Sequence, residues 1–142
     1  MWYKKCMDIE KIFKNFIIAD LIVFVIFFVN EFFYKSEEVS TISDQLSFGI
    51  FDSETGALLG FGFFVIMIIL YLISLFLLYR FMSFGKPLYT FVIIAIILVS
   101  IFSGPTISTG LGGAIDWIET LIEGAILTFL YFTPIKDKFK SQ

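Results

Sequence analysis

Histidine is absent from this chain, and cysteine occurs once, at Cys6. The first absence removes the commonest general base, the commonest metal ligand and the side chain that titrates near neutral pH. The second excludes an intrachain disulfide. Charge is sparse as well, at 16% of 142 residues, where a soluble domain carries about 25%. With 58% hydrophobic residues, 20% aromatics and a mean hydropathy of +0.94, that deficit argues for a membrane protein. No basic patch extends beyond short tails, which argues against nucleic acid as a partner. A phosphate loop, HExxH and GxSxG are all missing. The expectation is a non-enzyme, with no catalytic residue, no cofactor and no metal site.

What is present is a series of long apolar runs separated by polar turns. They predict an all-α, four-helix antiparallel transmembrane bundle forming a single domain over residues 1–142. A basic flank (1–15, MWYKKCMDIEKIFKN) precedes a first span at 16–34. No small-x-small cleavage site follows that run, so it reads as an uncleaved anchor rather than a signal peptide. Asp20 sits about one turn inside its basic end. It is expected in the headgroup zone or paired with a nearby Lys, where an acid is far cheaper than at a span centre.

Residues 35–55 form a loop rich in acid, with Glu37, Glu38, Asp44, Asp52 and Glu54 against Lys35 alone. Its apolar piece 46–51 is suited to pack back on the bundle mouth. Asp52 or Ser53 reads as the cap of the next helix, because the Asp52/Glu54 spacing fits no EF-hand loop. The second span covers 57–79, and Gly56 and Gly60 make a GxxxG at its start that suits close helix packing. A basic turn (80–87) with Pro87 at a helix start leads to a short third span, 88–104. The uncharged stretch 105–113, TI-S/T and glycine-rich, connects to the fourth span, 114–133, which Pro134 stops before a basic tail, 134–142.

Four Lys precede the first span, Arg80 and Lys86 lie in the second connection, three Lys lie in the tail, and only Lys35 lies on the other side. Nine of ten basic residues on one side put both termini in the cytoplasm by the positive-inside rule, and argue against dual-topology insertion.

The fourth span is unlike the others. Asp116, Glu119 and Glu123 fall within about 60° of one another at about 100° per residue, so they share one helix face. A carboxylate at the depth of Glu123 costs roughly 3 kcal/mol unless it is paired, hydrated or protonated. No Lys or Arg is expected at that depth. Thr120 and Tyr71 are the expected internal donors, and Gly124 would let a neighbouring helix close over the site. Three readings of the stripe are open. It fixes helix packing; it meets a basic residue of another membrane subunit; or it lines an outer vestibule for a cation or proton. In the last case desolvation favours the neutral acid and a cation the charged one. The function expected is that of an integral membrane protein acting as an accessory, assembly or structural subunit. The alternative is a small oligomeric carrier or channel for a cation or proton. The partners expected are the lipid bilayer and either another membrane protein or further copies of the chain.

Two stretches carry a resemblance: Gly104-Pro105-Thr106-Ile107-Ser108, and Gly124-Ala125-Ile126-Leu127 with Leu130-Tyr131-Phe132-Thr133-Pro134-Ile135-Lys136. Together they resemble small, uncharacterised bacterial inner-membrane proteins with four predicted spans and a GAIL…YF-S/T-P-φ-K ending. The likeness covers roughly the last third of the chain. Thr133 stands where Ser is expected. The resemblance implies a bacterial inner-membrane location and no particular activity.

The predicted topology has a direct check. A cysteine placed at Ser40, in a chain with Cys6→Ser, is expected to react with an impermeant maleimide in intact cells with an opened outer barrier. Reaction only after lysis would reverse the orientation.

Overall fold

The computed structural model describes residues 2–33, 54–102 and 108–139, and every one of them lies in a helix or in a short turn between helices. The order is α1 (Trp2–Phe33), α2 (Glu54–Tyr79), α3 (Gly85–Phe102) and α4 (Gly110–Phe132), closed by a short 3-10 helix, Pro134–Phe139. There is no strand among the described residues. The acidic loop, its apolar piece, the Asp52/Ser53 cap and residues 103–107 of the uncharged connection lie outside the described residues, as do the surroundings of Gly56.

Two helices are long and apolar enough to cross a membrane, at Ile9–Asn30 and Gly60–Tyr79. The apolar stretch of α3, Gly85–Ile101, is shorter. α4 has 23 residues but carries three carboxylates. The basic flank is not separate from the first span, because α1 runs unbroken from Trp2 to Phe33. Its apolar residues Phe13 and Ile17 continue the buried stripe of the span N-terminally, one helical turn at a time. The candidate span therefore begins near Ile9, and Asp20 falls in its middle rather than near its end.

Chain neighbours run antiparallel. Asp20 of α1 meets Tyr71 of α2, while Lys14 lies 5.3 Å from the Tyr79 ring. Thr90, one turn into α3, shares a 2.9 Å hydrogen bond with Tyr131 near the end of α4. Glu10 near the start of α1 forms salt bridges with Lys14 and with Lys138 of the 3-10 helix. At the other end of α1, the Asn30 side chain is packed against Gly112 in the first turn of α4.

The apolar core is concentrated at the end where the start of α1, the α2–α3 turn and the 3-10 helix meet. Phe13 there packs on Phe81, Phe129 and Phe139 with ring centroids 5.8–6.2 Å apart, and Phe81 and Phe139 approach to 5.5 Å. Aromatic pairs of this kind add about 0.5–1.5 kcal/mol beyond the area they bury. The segment read from sequence only as a basic tail thus supplies two core residues, Ile135 and Phe139. Pro134 cannot extend α4, and Thr133 turns the chain: its hydroxyl donates to the Phe129 carbonyl at 2.7 Å and receives the Ile135 N–H at 3.3 Å.

The α2–α3 turn is tightly built. The Phe81 N–H donates to the Leu78 carbonyl and the Met82 N–H to the Leu77 carbonyl, both at 3.0 Å. This pair of bonds closes a helix with one left-handed residue, ordinarily glycine. Here that residue is Phe81, at φ 57°. The left-handed conformation costs an L-residue about 1–2 kcal/mol, which the burial of its ring among Phe13 and Phe139 offsets. Gly85 then starts α3 against the back of α2. A Cβ on Gly85 would lie 2.9 Å from the Leu77 carbonyl carbon and the Leu78 nitrogen, both backbone. Gly124 is the opposite case. It is exposed, and a Cβ there would meet nothing within 4 Å, so no described helix closes over it.

Thermal unfolding in detergent, followed by circular dichroism, should separate these two glycines. Gly85→Ala is expected to destabilise by about 1–3 kcal/mol, since backbone cannot yield as a side chain does. Gly124→Ala should be neutral or stabilising by up to about 1 kcal/mol.

Candidate functional site

On α1, Phe13, Ile17, Asp20 and Phe24 follow one another at spacings of four, three and four, so they form one stripe. Three are apolar and the fourth is a carboxylate. Asp20 is completely buried, at 0% exposure. The Tyr71 hydroxyl, itself 2% exposed, donates to Asp20 Oδ2 at 2.7 Å. The partner of Asp20 is therefore Tyr71 and not a Lys, and Asp20 lies mid-way along the candidate span Ile9–Asn30. The reason is the N-terminal extension of α1, which moves the residue a full two turns deeper. A buried carboxylate without a donor would cost several kcal/mol, and a hydrogen bond to a charged group returns about 1.5–3.

Tyr71 is fixed by its surroundings. The Phe24 ring lies 5.2 Å from its own and the Tyr89 ring 6.2 Å, nearly parallel to it. Ser74, fully buried one turn on, donates its hydroxyl to the Tyr71 carbonyl at 2.7 Å. Two buried polar atoms at this level, Asp20 Oδ1 and the Tyr89 hydroxyl, have no hydrogen-bond partner among the described residues.

Beyond Tyr71 the packing opens into a cavity of about 760 Å³. α4 contributes Asp116, Glu119, Thr120 and Glu123 to its wall, so the whole acidic stripe faces one space. α4 starts as its sequence requires: the Thr109 hydroxyl accepts the Gly112 N–H at 3.0 Å and satisfies one of the free donors of the first turn. From that start, the acids at 116, 119 and 123 turn inward. α1 adds Phe24, Phe27 and Phe28; α2 adds Gly60, Phe61, Phe63, Phe64 and Met67; α3 adds Ile96, Val99 and Ser100.

The expected donors divide. Tyr71 lines the same cavity as Glu123 and donates its hydroxyl to Asp20 of α1. Thr120 also lines the cavity, but its hydroxyl donates to the Asp116 carbonyl at 2.9 Å. A threonine inside a helix reaches the carbonyl four residues back more easily than a side chain on the next turn. Of the glycines, Gly60 borders the cavity and Gly124 faces away from packed chain.

No three carboxylates among the described residues come together as a metal site would need. Among the described residues the lining carries no Lys or Arg. Lys14 and Lys138 instead stand over Phe81, Arg80 over Phe76, and Lys86 over Tyr131 at 4.0 Å.

Sequence reasoning missed Asp20 and the aromatic wall. The signal for Asp20 was its register with Phe13, Ile17 and Phe24. The aromatic wall had a weaker signal, since phenylalanine is abundant throughout and a lipid-facing ring reads like a cavity-facing one.

Removing the Tyr71 hydroxyl should expose the cost of the buried acid. Tyr71→Phe is expected to destabilise by about 1–3 kcal/mol in detergent unfolding, whereas Tyr71→Phe combined with Asp20→Leu should recover most of the loss, because an apolar replacement leaves no unpaired charge. Additive losses in the double variant would mean that the pair is not coupled. Comparison of the chain with models of protein families, with curated proteins and with solved structures finds no match.

Proposed function

We propose that the chain is a four-span protein of the bacterial inner membrane, with both termini in the cytoplasm, and that it takes a cation or proton into the cavity beside α4. The observation that carries this reading is the arrangement of Asp116, Glu119 and Glu123 along a cavity of about 760 Å³ whose described lining has no basic side chain. Tyr71 lines the same cavity and donates to Asp20, so its hydroxyl connects the cavity to the buried acid behind it. The membrane location is supported by the apolar stretches Ile9–Asn30 and Gly60–Tyr79 and by the one-sided distribution of Lys and Arg.

A second reading, an accessory or assembly subunit, is favoured by the outer face of α4. Trp117, Leu121 and Phe132 are 71–84% exposed there and fall with Gly124 within about 80° of one another. Small residues beside large exposed ones suit a helix from another chain.

Proteoliposomes carrying an internal pH dye test the first reading. Wild-type protein is expected to dissipate an imposed proton gradient, and Glu123→Gln to abolish that flux with the unfolding transition intact. Equal flux from both would remove the carboxylate from any transport role. Native electrophoresis of the protein extracted from its own membranes in mild detergent addresses the second reading: migration in a large hetero-complex favours it, and migration as a small homo-oligomer excludes it.

A further inference from the structure

The dimensions and walls of the cavity define what kind of cation fits it. We propose that the cavity binds a bulky, apolar organic cation, of the quaternary ammonium or phosphonium kind, with its charge against the α4 carboxylates and its body against the phenylalanines of α1 and α2. This inference rests on the proposed cation-binding role and names its ligand class.

Four observations on the page converge. The volume, about 760 Å³, lies within the range of roughly 300–1,000 Å³ typical of drug-sized ligand sites. It far exceeds what a proton or a bare metal ion needs, and the carboxylates are not grouped to chelate a metal. The two walls differ in chemistry. Phe24, Phe27 and Phe28 on α1 and Phe61, Phe63 and Phe64 on α2 present aromatic rings, and Glu119 and Glu123 present negative charge. An aromatic face attracts a cation that has shed its water, and carboxylates supply the neutralising charge.

Other occupants fit worse. A small, strongly hydrated cation would have to exchange its water for phenylalanine rings, which offer no oxygen. A lipid tail would match the rings and leave the carboxylates desolvated against hydrocarbon. Among the described residues the lining holds no Lys or Arg, and Lys14, Arg80, Lys86 and Lys138 stand over rings at the closed end. Behind the cavity wall, Asp20 adds a fourth acid. It is fully buried, it is held by the cavity-lining Tyr71, and its Oδ1 has no partner among the described residues. Among the described residues the cavity thus gathers carboxylates without a basic side chain, and a cation is the occupant that complements them.

The test is equilibrium dialysis of the full chain in detergent micelles against tetraphenylphosphonium, with protein-free micelles as blank and triphenylphosphine oxide as the neutral probe. Saturable binding is expected with a Kd on the order of 10 μM, and none for the neutral probe. Glu123→Gln should weaken binding by about tenfold or more. Phe64→Leu, whose half-exposed ring lines the cavity, should weaken it by about three- to tenfold with the unfolding transition unchanged. Equal uptake of both probes, or unchanged binding in both variants, overturns the proposal. Absence of phosphonium binding together with Glu123-dependent proton flux removes the organic cation and leaves the proton reading standing. Absence of both removes the two together.

Discussion

The rest of the structure is arranged around one hydrogen bond, from the Tyr71 hydroxyl to the carboxylate of Asp20. It joins two helices 51 residues apart at a level where everything else on the α1 stripe is apolar. On one side of it lies a dense core of phenylalanines with the basic side chains fanned over their rings. On the other side the helices stand apart around a cavity walled by acids and rings. The bond marks the boundary between a region that holds the helices together and a region that leaves space for something else. Burying a carboxylate is costly, and a leucine at position 20 would satisfy packing at less expense. The acid is therefore better explained by the chemistry of the neighbouring space than by stability.

The division between a closed, basic end and an open, acidic middle also sets the electrostatics. Positive charge is held over aromatic faces and in the Glu10–Lys138 clasp, away from the cavity. The carboxylates of α4 line the cavity instead.

Much of this was legible in the sequence, and the failures have physical causes. The helical nature of the chain followed from apolar runs too long for strands. The acidic face of α4 followed from spacing, since positions 116, 119 and 123 must share a side whatever they face. Spacing could not say whether that side met lipid, protein or a cavity. Asp20 was misplaced because the first span was started at the end of the basic flank, and a helix does not end where its charges do: Lys11 and Lys14 leave the face that Phe13 and Ile17 bury. Phe81 could not be found either. A left-handed residue is ordinarily announced by glycine, and here a buried aromatic ring holds the conformation instead. The closing 3-10 helix read as a basic tail because its two buried residues, Ile135 and Phe139, alternate with lysines.

The way the two ends of the chain are latched bears on how the protein is made. Asp20 leaves the ribosome long before Tyr71, and the Phe13 ring precedes Phe139 by almost the whole chain. Through most of synthesis, α1 therefore carries a carboxylate without its phenol and an aromatic stripe without its cover. Such a helix is a poor tenant of lipid and a good client for the insertion machinery, which can shelter a polar residue until its partner arrives. Assembly then finishes last-in, with the final six-residue helix sliding its two apolar side chains under the first. A chain stalled before Pro134 would have its Tyr71–Asp20 bond but lack Ile135 and Phe139, leaving the Phe13 end of α1 uncovered.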